Sequence, residues 1–268
     1  LYYYPNNREA IIFDRTNTNE YEFNIEDKKI INDIKNKTNE NKLFLATSAT
    51  WGFEKAKEPY KFLSEILVSA NSNTFNNSLF RLLKECEKEI KPFALNMLQD
   101  ADLNIDDYKI VELPVPEAAL KIYGDSKYYE VLFKHKGSDD YLSSHEESAG
   151  TLSFFALIPL MYFASKNEMV IFIDEIDKSL HSYLVEHLIT MFNDKENNIN
   201  NSQLIFNTHD TNLLDLNILR RDQIWFTEKN VDTGESTLYP LSDFSVRKQE
   251  NIEKGYLLGR YGAVPFIK

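Results

Sequence analysis

The sequence predicts an α/β fold with a parallel β-sheet at its core and helices on both faces of that sheet. Two short apolar segments, 169–173 and 203–207, have the length and composition of buried strands, and residues 179–193 between them show the period of an amphipathic helix. Apolar strands that alternate with helices are typical of covered parallel sheets. The same alternation predicts a helix at 151–165, a short helix near 211–219 and a third strand at 223–228.

Residues 1–27 predict a small antiparallel β element. Tyr21, Phe23 and Ile25 alternate with polar residues, which is the period of a half-buried strand. The apolar stretch 11–13 is the expected partner strand, because an Asn-Thr-Asn tripeptide with turn chemistry separates the two.

Residues 28–147 predict a helical subdomain with a later strand pair. We expect a short helix at 28–36, a helical pattern from about 58 to 100, a strand at 128–135 and a polar loop at 137–147. Ordinary helices with buried stripes account for the helical part, and a docking surface for a partner is the alternative. The predicted domains are therefore 1–27, 28–147 and 148–268.

The charge of the chain limits its partners. The 268 residues carry 30 basic and 42 acidic side chains, a net charge of −12, so the protein as a whole is not a binder of nucleic-acid backbones. Residues 1–219 hold 22 basic and 35 acidic groups, whereas residues 220–268 hold 8 and 7. Any nucleic-acid contact is therefore expected toward the C-terminus, and whether one exists stays open.

Cysteine content and apolar runs bear on the compartment. The single cysteine, Cys86, excludes an internal disulfide and a cysteine-cluster metal site. The apolar run 169–173 is far too short to cross a bilayer, and no secretory leader opens the chain. We therefore expect a cytoplasmic protein without membrane contact.

Two adjacent carboxylates follow the first buried strand. Asp174 and Glu175 come directly after residues 169–173, at the carboxyl edge where parallel sheets bind ligands. Burying such a pair is unfavourable unless a metal ion or a proton-transfer role compensates. The natural assignment places Asp174 on Mg²⁺ and Glu175 on an attacking water, as in the Walker B strand of P-loop ATPases. A surface turn after a core strand is the alternative for this feature alone.

The second buried strand also ends in polar chemistry. It is followed by Thr208, His209 and Asp210, and His209 lies 35 residues after Asp174, one helix and one loop later. This spacing predicts that the two strand ends lie side by side. A histidine at that position is suited to hydrogen-bond a γ-phosphate and to hold the attacking water.

A third feature precedes the 151–165 helix. Ser148 and Gly150 lie where the helix begins, so a hydroxyl and a bare backbone would meet unpaired N–H groups that favour an anion. Simple helix capping by serine is the alternative.

In order, Ser148-Ala-Gly150-Thr, the strand ending in Asp174-Glu175 and the strand followed by Thr-His209-Asp resemble the motifs of the ABC-ATPase-like AAA family of prokaryotes. More narrowly, the chain is similar to AAA-type ATPases of abortive infection and phage defence. The resemblance covers residues 143–268 well and the earlier part loosely. It implies a RecA-like, ABC-type P-loop NTPase core.

The resemblance also implies roles. The family dimerises around ATP and Mg²⁺, and its signature loop contacts the nucleotide of the other protomer. By position, Asp174 matches the Walker B aspartate that serves Mg²⁺, Glu175 the catalytic glutamate, His209 the switch histidine, Ser148 and Gly150 the signature loop, and 178–181 the D-loop. These roles imply a homodimeric, cytoplasmic ATPase that is the sensor or motor of an anti-phage system, with a nuclease or toxin as effector.

One motif of the family is missing. The chain has eight glycines and no Gly-Lys dipeptide, so a Walker A loop is absent. The chain begins at Leu1 without an initiator Met, and we expect it to be the C-terminal part of such an ATPase. Alone, it is expected neither to bind ATP tightly nor to hydrolyse it.

Two other functions are compatible with part of the sequence. A non-catalytic, ATPase-derived scaffold for protein binding is the main alternative, although such a scaffold has no need of Glu175. A metal-dependent nuclease of the topoisomerase-primase type would need an Asp-x-Asp pair, but Asp174 and Asp177 are three positions apart.

The C-terminal segment 259–265 predicts a tight turn with positive φ at a glycine. The partner of Arg260 within it is left open between a phosphate, another protein and a carboxylate.

Overall fold

The computed structural model describes residues 1–16, 20–23, 27–70, 77–114, 127–247 and 249–264. The predicted turn at 17–19, Ile25 and Pro265 lie outside these residues. The chain divides into two compact units, Leu1–Val68 and Ser69–Lys268. The division into 1–27, 28–147 and 148–268 stays a prediction.

The first unit combines short strands and helices around its own apolar core. Strand β1 (Tyr2–Tyr3) pairs antiparallel with β2 (Ala10–Ile11), and β3 (Phe13–Arg15) pairs antiparallel with β4 (Tyr21–Phe23), as the sequence predicts. Three helices follow: α1 (Lys28–Lys37), α2 (Phe44–Thr50) and α3 (Glu54–Lys61). The core of this unit consists of Ile12, Phe13, Ile31, Ile34, Phe44, Phe53 and Ala56.

A strand interrupts the region that was predicted to be helical. After a π-helical turn (Phe62–Ile66), β5 (Leu67–Ala70) adopts extended structure, and the boundary between the units falls within it. β5 is an edge strand of a three-stranded sheet, next to the strand Val170–Ile173, with Gln203–Phe206 at the other edge. Periodicity alone missed it because a short apolar run fits a helix and a buried strand equally well.

The second unit begins with helices α4 (Asn77–Glu85) and α5 (Glu87–Asp100). An antiparallel sheet follows, in which β7 (Tyr128–His135) lies between β6 (Ile105–Leu113) and β8 (Tyr141–Ser143). The predicted strand at 128–135 is confirmed at both ends. The predicted loop at 137–147 is wrong in part, because β8 and a 3₁₀ turn (Ser144–Glu146) occupy its second half.

Asp107 on β6 links this sheet to α5. Its carboxylate accepts hydrogen bonds from Tyr141 (2.5 Å) and pairs with Lys91 Nζ (2.7 Å). Burial acts to raise the pKa of Asp107, but the hydrogen bonds from Lys91 and Tyr141 outweigh it and hold that pKa below its usual value.

The central helix of the second unit is α6 (Ala149–Lys166), which matches the predicted helix. It is the one helix within the described residues that is long and apolar enough to cross a membrane by length and composition, and half of it is buried. Its buried side chains, including Phe154, Phe155 and Ile158, belong to the main core. This burial is that of a core helix.

The predicted parallel pair is present. Strand β9 (Val170–Ile173) pairs parallel with β10 (Gln203–Phe206), and helix α7 (Ser182–Asn193) connects them. Ile171 and Ile173 of β9 are buried in the same core as α6. The fold is therefore α/β with a parallel sheet, as the sequence predicts.

The third predicted strand is wrong in its placement. β11 (Trp225–Lys229) pairs antiparallel with β12 (Ser236–Pro240) and not with the parallel sheet. The turn between them contains Gly234 at φ +73°, which returns the chain at once and makes a hairpin. The predicted helix near 211–219 is only a 3₁₀ turn, Thr211–Leu213.

The described residues from 224 onward pack around a small separate apolar core. It is formed by Ile224, Phe226, Leu241, Val246, Ile252 and Tyr261, and helix α8 (Ile252–Leu257) packs there. Gly259 and Gly262 have φ of +75° and +71°, so the predicted positive-φ turn is confirmed in its described part. Arg260 pairs with the carboxylate of Glu250, which decides its intramolecular partner.

Candidate functional site

The register of the parallel strands brings the two predicted strand ends together. Phe206 of β10 is paired with Ile173 of β9, so the chain leaves both strands at the same edge. Asp174 and Asn207 are the first residues beyond that edge. The expectation that the two strand ends are neighbours is confirmed.

The side chain of Asn207 bridges the two strand ends. Its Nδ2 donates to Asp174 Oδ1 at 2.6 Å, and its Oδ1 accepts from the Glu175 amide N–H at 2.6 Å. Its backbone carbonyl also accepts from the Ile176 N–H at 3.2 Å. The sequence analysis did not predict a role for Asn207. Its position directly after β10 and before Thr208-His209 could have indicated that it lies at the strand end.

Glu175 has a strained backbone and an exposed carboxylate. Its φ is +52°, a left-handed conformation that costs a non-glycine residue on the order of 1 kcal/mol. The neighbouring Ile176 is buried in the core, so the chain turns sharply here. The Glu175 side chain is half exposed, with Lys178 Nζ 3.7 Å from its Oε2. This carboxylate is therefore held at the surface of the strand end by the backbone turn.

His209 lies on the same edge with an exposed side chain. Its backbone N–H points toward Asp177 Oδ1 at 3.3 Å, which ties the second loop to the first. Within the described part of the chain, its imidazole makes no hydrogen bond. Asp177, weighed in the sequence only as a partner of Asp174 in a nuclease, instead faces this N–H group.

Asp210 anchors the loop that carries His209. Burial acts to raise the pKa of Asp210, but hydrogen bonds from Ser182 and Asn212 outweigh it and leave that pKa below its usual value. Its Oδ1 accepts from the Asn212 N–H at 3.0 Å and starts the 3₁₀ turn. The position of His209 is thus fixed by its neighbours on both sides.

Ser148 caps the first turn of α6. Its Oγ accepts from the Thr151 N–H at 3.0 Å and lies 2.9 Å from the Thr151 hydroxyl. The capping alternative is therefore realised, while Ser148 remains exposed. Just before it, the almost buried Glu147 carboxylate accepts a hydrogen bond from His135 Nε2 at 2.5 Å, which attaches the loop to β7.

Gly150 approaches the backbone that follows Glu175. A Cβ placed on Gly150 would lie 2.9 Å from the carbonyl oxygen of Ser179, closer than real Cβ contacts. Ser179 itself has φ +63°. The start of α6 and residues 178–181 are therefore in direct contact, and only glycine fits there without a shift.

The residues present suit a divalent cation only in part. Among the residues that the structure describes, no group of three or more His, Cys, Asp or Glu side chains could hold a metal. Asp174 has one oxygen bonded to Asn207 and a second oxygen without that bond. Mg²⁺ often binds through one or two carboxylates, with water and substrate phosphates completing its shell, so a single Asp174 ligand fits it.

Comparison with known proteins gives one family. A family model described as "AAA domain, putative AbiEii toxin, Type IV TA system" matches residues 9–215. A comparison with curated proteins found no significant match.

Three solved structures show weak similarity. One, described under ATP-driven dimerization and DNA stimulated activation of SMC ATPases, is 13% identical with a TM-score of 0.40, covering 68% of this chain and 96% of its own. An Smc head domain from Pyrococcus furiosus, bound to the C-terminal domain of ScpA, is 13% identical with a TM-score of 0.36, covering 80% and 48%. An Smc head domain from Pyrococcus yayanosii is 14% identical with a TM-score of 0.39, covering 89% and 39%.

Proposed function

Because the chain belongs to this family of AAA-domain P-loop ATPases, we propose that it is the C-terminal part of an ABC-type ATPase that hydrolyses ATP at a dimer interface. The observation that carries the proposal is the bridge from Asn207 to Asp174 and Glu175. It places an acid pair and the loop of His209 at one edge of a parallel sheet, where such sheets bind ligands.

Asp174 is the proposed Mg²⁺ ligand. Mg²⁺, when bound, would neutralise developing charge on the phosphates of ATP. Asn207 donates to one oxygen of Asp174 and thereby orients the carboxylate, which leaves the other oxygen for the cation or its water.

Glu175 is the proposed general base. Its exposed carboxylate can accept a proton from a water molecule that attacks the terminal phosphate, and its backbone N–H is fixed by Asn207. His209 is proposed to donate a hydrogen bond to that phosphate, because its imidazole is exposed on the adjacent loop. Glu175 and His209 are thus the proposed catalytic residues.

Ser148 and Gly150 are proposed to serve the nucleotide of a second protomer. The exposed Ser148 lies at the start of α6, where unpaired N–H groups favour an anion. Gly150 contacts Ser179, so the loop and residues 178–181 would move together when a homodimer closes. Closure around ATP and opening after hydrolysis would then drive the protein's task.

No Gly-Lys dipeptide occurs in the sequence, so we propose that it lacks the phosphate-binding loop of this ATPase. We therefore expect calorimetry on this chain to detect no tight ATP binding, and micromolar affinity would show that the phosphate site is misassigned. The proposed wider role is that of a cytoplasmic sensor or motor in anti-phage defence, with a nuclease or toxin as effector. The description of the matching family names a putative toxin of a Type IV TA system, which connects the family with a toxin system but does not bear on a separate effector.

The test uses the intact protein, including any sequence that its gene encodes before Leu1. We expect Mg²⁺-dependent phosphate release, and Glu175→Gln should lower kcat by about 10²-fold or more while trapping an ATP-bound dimer. Glu168→Gln is the matched control, because Glu168 is exposed and precedes β9 at the opposite end of the strand.

Phosphate release and light scattering with and without ATP measure the two effects. Absence of ATPase activity in the intact protein would exclude the proposed function. Equal kcat values for Glu175→Gln and Glu168→Gln would exclude Glu175 as the base.

A further inference from the structure

The last part of the second unit concentrates arginines around two cavities. Residues 220–268 are nearly neutral, whereas the preceding part of the chain is strongly acidic. The first cavity, of about 460 Å³, is lined by Leu216, Arg220, Arg221, Asp222, Ser242 and Val246. The second, of about 760 Å³, is lined by Arg247, Gln249, Glu250 and Arg260. Both are open toward solvent and do not enclose a ligand.

The two cavities are consecutive on the surface. Arg221 Nη1 donates to the carbonyl of Val246 at 3.0 Å, and Val246 lines the first cavity while the next residue, Arg247, lines the second. The Arg247 N–H in turn donates to Glu250 Oε2 at 3.2 Å, and Glu250 pairs with Arg260. Hydrogen bonds and an ion pair thus connect Arg221, Val246, Arg247, Glu250 and Arg260 in a continuous row across both cavities, which we call the strip.

The strip has more positive than negative charge. Asp222 pairs with Arg220 and Glu250 with Arg260, and among the described residues neither Arg221 nor Arg247 forms an ion pair with a carboxylate. Within the described residues, the guanidinium of Arg247 makes no hydrogen bond or ion pair, and it is exposed. Because salt screens charges beyond about 8 Å, this local excess acts despite the acidic remainder of the chain.

An exposed aromatic ring stands beside the first cavity. The Trp225 side chain is 53% exposed, and its Nε1 donates to the carbonyl of Asp222, a lining residue, at 3.0 Å. The hydrogen bond holds the indole in place and leaves ring surface exposed. A guanidinium row next to a fixed aromatic ring is the combination that binds the phosphates and bases of single strands.

We propose that this strip binds single-stranded nucleic acid, with phosphates on Arg221 and Arg247 and a base stacked on Trp225. Stacking requires an unpaired base, which a duplex does not offer. The strip shares no residue with the strand ends that carry Asp174, and the proposed binding does not depend on ATP hydrolysis. DNA and RNA single strands share this chemistry, so both enter the test.

The experiment measures Trp225 fluorescence in the full chain. The chain has two tryptophans, so Trp51→Phe leaves Trp225 as the only indole. Oligothymidylate and oligouridylate of about 12 nucleotides, within the usual size of such sites, should each be tested for quenching. With two arginine–phosphate contacts, log K should fall with log salt with a slope of about −1.4.

Variants locate the binding surface. Arg247→Ala should weaken the slope by about 0.7, the value for one phosphate contact on a single strand. Lys229→Ala is the matched control, since it removes the same charge from β11, outside both cavities. Trp225→Leu, followed by anisotropy of a labelled oligonucleotide, should weaken binding without changing the slope.

Quenching by either strand with an Arg247-dependent slope supports the proposal, and the tighter strand identifies the sugar. The proposal is overturned by any of three results: no quenching by either strand, equal slopes for Arg247→Ala and Lys229→Ala, or full displacement by equimolar pyrophosphate. The last result would indicate a site for a small anion.

Discussion

Replacing Asn207 tests the geometry of the strand ends without any need for catalysis. In Asn207→Ala, two hydrogen bonds of 2.6 Å are lost, one of them to a carboxylate. Because Asn207 is exposed, water can replace its hydrogen bonds, so each bond contributes at the lower end of the usual range. The free energy of unfolding should therefore fall by about 1–2 kcal/mol.

Asn207→Asp keeps the shape and the acceptor for the Glu175 N–H but puts a carboxylate against Asp174. Two unit charges about 3 Å apart repel by about 1.4 kcal/mol in water-like surroundings, and the donated hydrogen bond is lost as well. Like charges raise the pKa of the pair in the folded state, so the destabilisation is present at pH 7. It should shrink as the pH falls toward about 4, where one carboxyl group becomes protonated.

Urea unfolding followed by circular dichroism between about pH 7 and pH 4 measures the difference from the wild type. Asn201→Asp is the matched control, because Asn201 is exposed and lies before β10, at the opposite end of that strand. A difference for Asn207→Asp that does not change with pH, or that equals that of the control, would refute the bridge.

Substitutions at three further positions test the loop beside the site and the sheet next to it. Gly150→Ala should lower the free energy of unfolding, measured in urea, by about 1–2 kcal/mol, because the new Cβ would clash with the Ser179 carbonyl oxygen. If there were free space around Gly150, the same substitution would instead stabilise the helix. Ser148→Ala should cost about 1 kcal/mol by the same assay, and Ser148→Asp should retain the cap. The depressed pKa of Asp107 stabilises the fold above its unfolded value near 4, so stability should fall as the pH drops below that, and Asp107→Asn should remove this loss in a pH series.

For each of these positions, one outcome would contradict the prediction. Stabilisation by Gly150→Ala would mean that the contact with Ser179 is absent. Equal stability of Ser148→Ala and Ser148→Asp would show that the cap contributes nothing. If the loss of stability at low pH is unchanged in Asp107→Asn, a group other than Asp107 causes it.

The sequence predicted the elements whose signal is local. β7 matches its predicted bounds, and β9 and α6 lie within a few residues of theirs, because each has a sustained period or apolar run. The cap by Ser148 was also readable, since a serine before a helical segment has one common role. The acid pair after β9 was also readable, because it directly follows an apolar run in the sequence.

Misassignments arose where pairing between distant segments decides the structure. The apolar run that became β11 looked like a strand of the parallel sheet, but a turn at Gly234 pairs it with β12. β5 was read as helix because nothing in its own residues shows which strand it joins. Hydrophobic pattern records how deeply a segment is buried and not which strand lies beside it.

By itself, the sequence determined that an acid pair and a histidine follow two buried strands and that a serine begins the helix before them. Only the tertiary structure decided that Asn207 joins the two strand ends, that Gly150 lies against Ser179 and that arginines far apart in the chain share one strip. The reason is physical: side-chain periodicity is a property of one segment. Hydrogen bonds between segments depend on register and turns, which long-range packing sets.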